Sequence, residues 1–196
     1  MIGIIDYGAG NTRSVINSLI RLNADYVLTD DSRIIKTVEK LILPGVGHAG
    51  AAMENLKKTG LVELILEWEK PFLGVCVGMQ LMYESCEEGE TLSLGIIPGR
   101  VKRFKKSQTK KIPHMGWNEN TLINNIEDNL MKGCLEKETY FVHSYCGEIN
   151  EYTVATCNYY EEFASYINRN NFHGLQFHPE KSGDVGQLIL QNFLEI

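Results

Sequence analysis

The chain has 196 residues, 22% of them charged, and a formal net charge of −6. This length and composition suit a single soluble domain over residues 1–196, and the acidic balance gives no reason to expect nucleic acid as a partner. No window is apolar enough for a membrane span, and the N-terminus lacks the basic start of a signal peptide. The basic cluster Lys102–Lys111 is interpreted as a solvated loop rather than a phosphate-binding patch.

The cysteines favour a reducing compartment. They are odd in number, widely spread and form no CxxC pair: Cys76, Cys86, Cys134, Cys146 and Cys157. Neither a disulfide framework nor a zinc site is predicted, and no metal or other cofactor is expected. The predicted location is the cytoplasm.

The first half of the chain alternates strand-like and helix-like segments. Apolar runs predict strands at Ile2–Asp6, Tyr26–Thr29, Leu41–Leu43 and Phe72–Cys76, and helical spacing predicts helices at Thr12–Leu22 and over Ala49–Trp68, broken near Gly60. Strands that alternate with helices predict a parallel sheet covered on both faces.

The second half is richer in short β-branched and aromatic runs. These predict largely antiparallel strands at Gly95–Phe104, Glu138–Tyr145, Tyr152–Tyr159, Phe163–Asn168 and Gly174–Phe177, a hairpin at Tyr160–Glu162 and a final helix at Asp184–Leu194. The fold class is therefore α/β: a central, mostly parallel sheet flanked by helices, with additional antiparallel strands in the C-terminal half.

A cysteine lies at the end of one buried strand, in the sequence Gly74-x-Cys76-x-Gly78. A strand–turn–helix at this position lifts the thiol out of the sheet, and the glycines remove Cβ atoms from the tight turn. The N-terminus of the following helix favours the thiolate, so Cys76 is a candidate nucleophile. The N–H of Val77 is then placed to bind an oxyanion.

A base and an orienting carboxylate follow another apolar run. His178 comes after Leu175–Phe177, and Glu180 lies two residues on, within reach of the imidazole. The other histidines lack this setting: His48, His114, His143 and His173. We therefore predict that His178 and Glu180 act with Cys76, since sites in open α/β sheets form beyond the carboxyl ends of strands.

The motifs together resemble the class I (triad) glutamine amidotransferases and, within them, the glutaminase subunits of imidazole glycerol phosphate synthases. The resemblance is carried in chain order by DYGAGN (6–11), LPGVG (43–47), GVCVGMQ (74–80), PHMGWN (113–118), YFVHSY (140–145) and FHPEKS (177–182). It implies hydrolysis of L-glutamine to glutamate and ammonia, with Cys76, His178 and Glu180 as the triad.

The resemblance also implies the groups around the substrate. The oxyanion hole is expected to use the N–H of Val77 and one N–H near Gly45 or Val46. Gln80 and Glu88 are expected to bind glutamine, with Glu87 as the alternative to Glu88. The segment His143, Ser144 and Tyr145 is expected to run past the α-carboxylate.

A partner follows from the resemblance. The expected partner is a (β/α)₈-barrel cyclase that forms a heterodimer with this chain and uses the ammonia. The residues expected to face it are Asn11, Met115, Trp117, Asn118 and Lys181. From the residues alone, Trp117 packing in the domain's own core is the better interpretation.

Three other functions stay open at this point. One is a different cysteine hydrolase of related fold, such as a peptidase or a chaperone-like stress protein. Another is a non-catalytic subunit with a vestigial site. The third keeps the glutaminase chemistry but supplies ammonia to a different synthase, for example one that modifies a surface sugar.

Overall fold

The computed structural model describes residues 1–8, 10–105, 111–123, 128–134 and 137–196. Residues 106–110, in the middle of the basic cluster, lie outside that description. The helices are α1 (Thr12–Arg21), α2 (Ser32–Ile35), α3 (Ala49–Thr59), α4 (Val62–Leu66), α5 (Val77–Gln80) and α6 (Gly183–Glu195), with short 3₁₀ helices at Glu88–Glu90 and Pro179–Lys181.

Most strands join one large sheet. The strands are β1 (Ile2–Ile5), β2 (Tyr26–Thr29), β3 (Lys40–Leu43), β4 (Phe72–Val75), β5 (Tyr83–Cys86), β6 (Thr91–Leu92), β7 (Ile97–Arg103), β8 (His114–Glu119), β9 (Thr121–Leu122), β10 (Glu138–His143), β11 (Tyr145–Gly147), β12 (Thr153–Asn158), β13 (Glu162–Arg169) and β14 (Phe172–Leu175).

The large sheet runs β2-β1-β3-β4-β14-β13-β11-β7-β5-β6 among the described residues, with β12 on the other side of β13 and β9 beside β12. The block from β2 to β14 is parallel, whereas β13 is antiparallel to both β14 and β11. Strands β8 and β10 form a separate antiparallel pair. This mixed architecture confirms the predicted α/β fold class.

Burial explains why the parallel block forms the core. All four residues of β1, β4 and β14 are buried, as expected for strands covered on both faces. Helix α3 faces the sheet with small and apolar side chains and ends at Gly60, whose φ of 69° suits glycine at a helix C-terminus. The predicted break near Gly60 is confirmed.

Several predicted boundaries were wrong. The predicted strand Glu138–Tyr145 is two strands, β10 and β11, that belong to different sheets and meet at Ser144. Strand β14 begins two residues before the predicted Gly174. Strands β5 and β8 and helix α2 were not predicted, because tertiary pairing rather than local pattern decides such short segments. Within the described ranges, no helix has the length and apolar character of a membrane crossing.

Candidate active site

Cys76 lies on a tight turn between β4 and α5. Its φ of 52° and ψ of −107° put a non-glycine residue in a conformation that side chains rarely adopt. The turn is held at the sheet, because the Cys76 N–H donates to the carbonyl of Leu175 at the end of β14 (2.7 Å). Helix α5 is a single turn beginning at Val77, so the local field comes from a few backbone N–H groups rather than from a long helix.

Three glycines allow the main chain to close around this turn. A Cβ on Gly78 would overlap the carbonyl oxygen of Leu43 in β3, and one on Gly74 would lie 2.8 Å from the carbonyl of Gly78. A Cβ on Gly45 would lie 2.5 Å from the nitrogen of Gly78. The glycines therefore permit β3, β4 and α5 to approach at backbone distance, and this contact fixes where the thiol points.

Backbone hydrogen bonds place His178 beyond the end of β14. Its N–H donates to the carbonyl of Tyr140 (2.9 Å), and its own carbonyl accepts from the hydroxyl of Ser182 (2.6 Å). Ser182 Oγ in turn accepts from the N–H of Tyr140 (2.9 Å). Helix α6 packs at close range behind this segment, because a Cβ on Gly186 would overlap the carbonyl of Pro179.

The imidazole of His178 is paired with Glu180. Nδ1 lies 2.8 Å from Oε1 of Glu180, and the side chains are 1% and 2% exposed. Burial alone would lower the pKa of His178, but the nearby Cys76 sulfur and the Glu180 carboxylate outweigh it and raise the pKa above 6.5. Cys76 contributes to this raised pKa both as a nearby charge and as a hydrogen-bonding neighbour, while Nε2 of His178 has no closed hydrogen bond among the described residues.

These side chains open onto a cleft of about 390 Å³. Its walls come from six parts of the chain, and the lining residues are Asn11, Val46, Gly47, Cys76, Val77, Gln80, Glu88, Val142, His143, Ser144, Tyr145, His178 and Lys181. The cleft thus brings together Cys76, His178 and most residues that the sequence assigned to substrate. Gly45 is absent from the wall, since it packs against Val77 and Gly78.

Glu88 and Glu87 occupy different surroundings. Glu88 lines the cleft, and its Oε2 accepts from the N–H of Ala49 at the start of α3 (2.7 Å). Glu87 lies in a separate groove, and its Oε2 accepts from the N–H of Arg103 (2.8 Å). Between the two alternatives, this placement favours Glu88 as the carboxylate that a bound ligand can reach.

Gln80 and His143 are tied to the carbonyl of Tyr145. Gln80 Nε2 and His143 Nδ1 lie 3.0 Å and 2.8 Å from that oxygen. Burial is the main reason that the pKa of His143 falls to about 3, so the ring is neutral at physiological pH. Ser144 and Tyr145 complete this wall of the cleft.

The residues assigned to the partner face divide into two groups. Met115 and Trp117, on one face of β8, are 62% and 51% exposed, so the interpretation of Trp117 as a core residue was wrong. Asn118 follows on the same strand and donates from Nδ2 to the carbonyl of Asn158 (3.0 Å). Asn11 and Lys181 instead line the cleft.

The sequence analysis missed two side chains near Cys76, Tyr7 and Gln176. The hydroxyl of Tyr7 donates to the carbonyl of Pro44 (2.6 Å), and burial, with a smaller contribution from Cys76, raises its pKa. Gln176 is fully buried with Nε2 3.8 Å from the sulfur of Cys76. In the sequence, the available signal for Gln176 was a carboxamide two residues before His178.

The other cysteines lie in the interior. Burial is the main cause that raises the pKa of Cys86 to about 11 and that of Cys146 to about 12, and it also raises the pKa of Cys134. All five thiols are free and buried. Among the described residues, no group of three or more histidines, cysteines and carboxylates could hold a metal ion.

An elbow cysteine, a buried His–Glu pair beyond the end of the neighbouring strand and a mostly parallel sheet are typical of α/β enzymes that use a cysteine nucleophile. The chain belongs to the class-I glutamine amidotransferases, because the model of that family matches residues 3–196.

Curated relatives match over the full length. An imidazole glycerol phosphate synthase subunit HisH from Bacteroides fragilis (strain YCH46) is 44% identical, with 100% of this chain and 99% of the relative covered. A subunit HisH 2 from Legionella pneumophila (strain Lens) is 42% identical, with 100% and 98% covered.

Solved structures agree in fold. A putative GMP synthase subunit from Thermoplasma acidophilum superposes with a TM-score of 0.74 at 19% identity, with 99% of this chain and 92% of that chain covered. The structure of PurLQS from Thermotoga maritima gives a TM-score of 0.70 at 19% identity, with 99% and 97% covered.

Proposed function

We propose that this chain is the glutaminase subunit of an imidazole glycerol phosphate synthase and supplies ammonia for histidine biosynthesis. The observation that carries the proposal is that Cys76 and His178 share one cleft with Gln80 and Glu88, while the buried Glu180 pairs with His178. The relatives at 41–44% identity over the whole chain support the choice of pathway.

The reaction begins with the Cys76 thiolate, which attacks the side-chain amide carbon of glutamine. The C–S bond forms, and the carbonyl oxygen takes up negative charge. Val77, the first residue of α5, has no partner for its N–H inside the helix and is placed to bind that oxygen. We assign the second donor to the loop at Val46, which lines the cleft opposite.

His178 then completes the acid–base steps. Its imidazolium gives a proton to the departing nitrogen, so that ammonia leaves and a glutamyl thioester remains. The neutral ring takes a proton from water, which attacks the thioester and releases glutamate and the thiolate. Glu180 holds the Nδ1 proton in place and stabilises the imidazolium in both halves of the reaction.

Ammonia needs a protected route to its acceptor, because in neutral water it is mostly protonated and no longer nucleophilic. We therefore propose a heterodimer with a (β/α)₈-barrel cyclase that covers the cleft mouth. Asn11 and Lys181 in the cleft and the exposed Met115 and Trp117 on β8 are the contact residues of this proposal. Five free thiols support a reducing cytoplasm as the compartment.

One assay tests the function. Glutamate release from L-glutamine is measured for the purified chain, alone and with the cyclase and its ligand. We expect slow hydrolysis alone, strong stimulation in the complex and no glutamine use by Cys76→Ala, whose complex still makes product from ammonium salts.

Other outcomes would refute the mechanism or favour an alternative function. A glutaminase rate retained by Cys76→Ala would refute the mechanism. Peptide cleavage without ammonia release would indicate a peptidase. Glutaminase activity that the cyclase does not stimulate would move the chain to a different synthase.

A further inference from the structure

A buried series of hydrogen bonds leads from β8 to the sulfur of Cys76, and one backbone carbonyl fixes its direction. The carbonyl oxygen of Tyr145 can only accept, and Gln80 Nε2 and His143 Nδ1 lie within hydrogen-bond distance of it. Both of these side-chain nitrogens therefore carry the proton that they share with Tyr145. This settles which end of the Gln80 carboxamide is nitrogen and which tautomer His143 adopts.

The direction of the next hydrogen bond follows on the Cys76 side. Gln80 Nε2 also donates to Oε1 of Gln176 (3.1 Å), so the oxygen of the Gln176 carboxamide faces Gln80. Its nitrogen must then face the other way, toward Cys76 Sγ at 3.8 Å. A donor is therefore directed at the nucleophile, and the orientation does not depend on an arbitrary choice between nitrogen and oxygen.

On the β8 side, the hydrogen bond between His143 and His114 has a defined direction as well. Because His143 is neutral and protonated on Nδ1, its Nε2 accepts, and Nδ1 of His114 at 3.1 Å is the donor. His114 is the first residue of β8, and it is 2% exposed. Each hydrogen bond of the series thus has an assigned donor and acceptor, and the side chains that form it are at most 5% exposed.

We propose that Gln176 is a further catalytic residue, which donates a hydrogen bond from Nε2 to the sulfur of Cys76 and stabilises the thiolate. This inference rests on the proposed function. A hydrogen bond to an ionised acceptor is stronger than one to a neutral acceptor, so the contact stabilises the thiolate more than the thioester. When water has added to the thioester, the C–S bond breaks and its electron pair returns to sulfur. The hydrogen bond from Gln176 then stabilises the Cys76 thiolate that forms.

Gln176 acts beside two titratable groups that also face the sulfur. His178 supplies the positive charge, and Tyr7 lies near enough for Cys76 to affect its pKa. The Tyr7 hydroxyl already donates to the carbonyl of Pro44, so its single proton is engaged there. Among the described side chains that touch the sulfur, Gln176 therefore offers a neutral donor whose effect can be separated from the charge of His178.

The test compares Gln176→Met with Gln191→Met, a matched change at an exposed position of α6. Alkylation of Cys76 by iodoacetamide is followed by mass spectrometry between pH 4 and 9, together with glutamine turnover. We expect the alkylation profile of Gln176→Met to move to higher pH, so that its rate on the rising limb falls about tenfold, which corresponds to about 1.4 kcal/mol. The profile of Gln191→Met should match that of the unaltered chain.

An unchanged profile in folded Gln176→Met would overturn the proposal. If that variant does not fold, the unaltered chain decides the question: the Gln176 side-chain amide protons, observed by NMR, should shift with the pH midpoint of Cys76 alkylation and should not shift in Cys76→Ala. Absence of that shift would equally refute it. Because alkylation does not require glutamine, a shifted profile in a chain without glutaminase activity would refute the proposed function and leave only the hydrogen bond from Gln176 to the Cys76 thiolate.

Discussion

Replacement of Glu180 by glutamine removes one charge from the buried pair with His178 and almost no volume. The two groups lie 2.8 Å apart and are shielded from water, so their coupling is strong. A hydrogen bond to a charged group contributes about 1.5–3 kcal/mol, and Coulomb's law at an effective dielectric constant of about 20 gives roughly 6 kcal/mol as an upper bound. We therefore expect kcat/KM for glutamine to fall by about 10–10⁴ in Glu180→Gln.

Glutamate release by the complex measures this effect, with Glu69→Gln at an exposed position as the matched control. The pKa of His178 should fall when the carboxylate is lost. Because the pKa of folded His178 is raised above 6.5, the stability that the pair contributes is fully present below about pH 6.5 and is lost as pH rises through the raised value. In denaturant titrations, the difference in unfolding free energy between the unaltered chain and Glu180→Gln should therefore be largest below about pH 6.5 and decrease as pH rises. A loss of activity below tenfold would refute the assigned role.

The remaining predictions concern the ligand, the turn and the partner. Glu88→Gln should raise KM for glutamine at least tenfold with a smaller change in kcat, whereas Glu87→Gln, in a separate groove, should leave both within about twofold. Gly78→Ala, whose Cβ would overlap a backbone carbonyl of β3, should destabilise the chain by about 3 kcal/mol or more in thermal melts, against about 1–2 kcal/mol for Gly60→Ala, where the space is open. Trp117→Ala should change the melting temperature little but weaken cyclase binding by about 2 kcal/mol. If the binding titrations of the variant and the unaltered chain with the cyclase are the same, Trp117 is not an interface residue.

The sequence predicted strands β1, β3 and β4 of the parallel block well, because each is a short apolar run with glycine or proline close to one end. Strand β14 was predicted among the antiparallel strands, but it is parallel to β4. The sequence also predicted the elbow, since Gly74 and Gly78 flank Cys76 in a pattern that has a steric cause. The division of β10 from β11 could not be predicted. Their residues form one aromatic-rich run, and only the packing of two sheets decides that the chain changes sheet at Ser144.

The surroundings of the sulfur were also beyond local reasoning. Gln176 lies next to an apolar strand, and nothing in its neighbours along the chain shows that its amide turns toward Cys76. That orientation depends on Gln80 and on the carbonyl of Tyr145, which are distant in sequence. Likewise, Glu87 and Glu88 are chemically equal in the sequence, and only their different hydrogen-bond partners separate them.

The contact of Gly45, Gly74 and Gly78 affects how this active site can change over time. Because main chain meets main chain there, substitutions in the surrounding side chains leave the position of the Cys76 sulfur relative to the sheet unchanged. Diversity in such a family should therefore accumulate at the cleft rim and on the exposed face of β8. A library randomised at the rim should yield many folded members, whereas one randomised at these glycines should yield almost none.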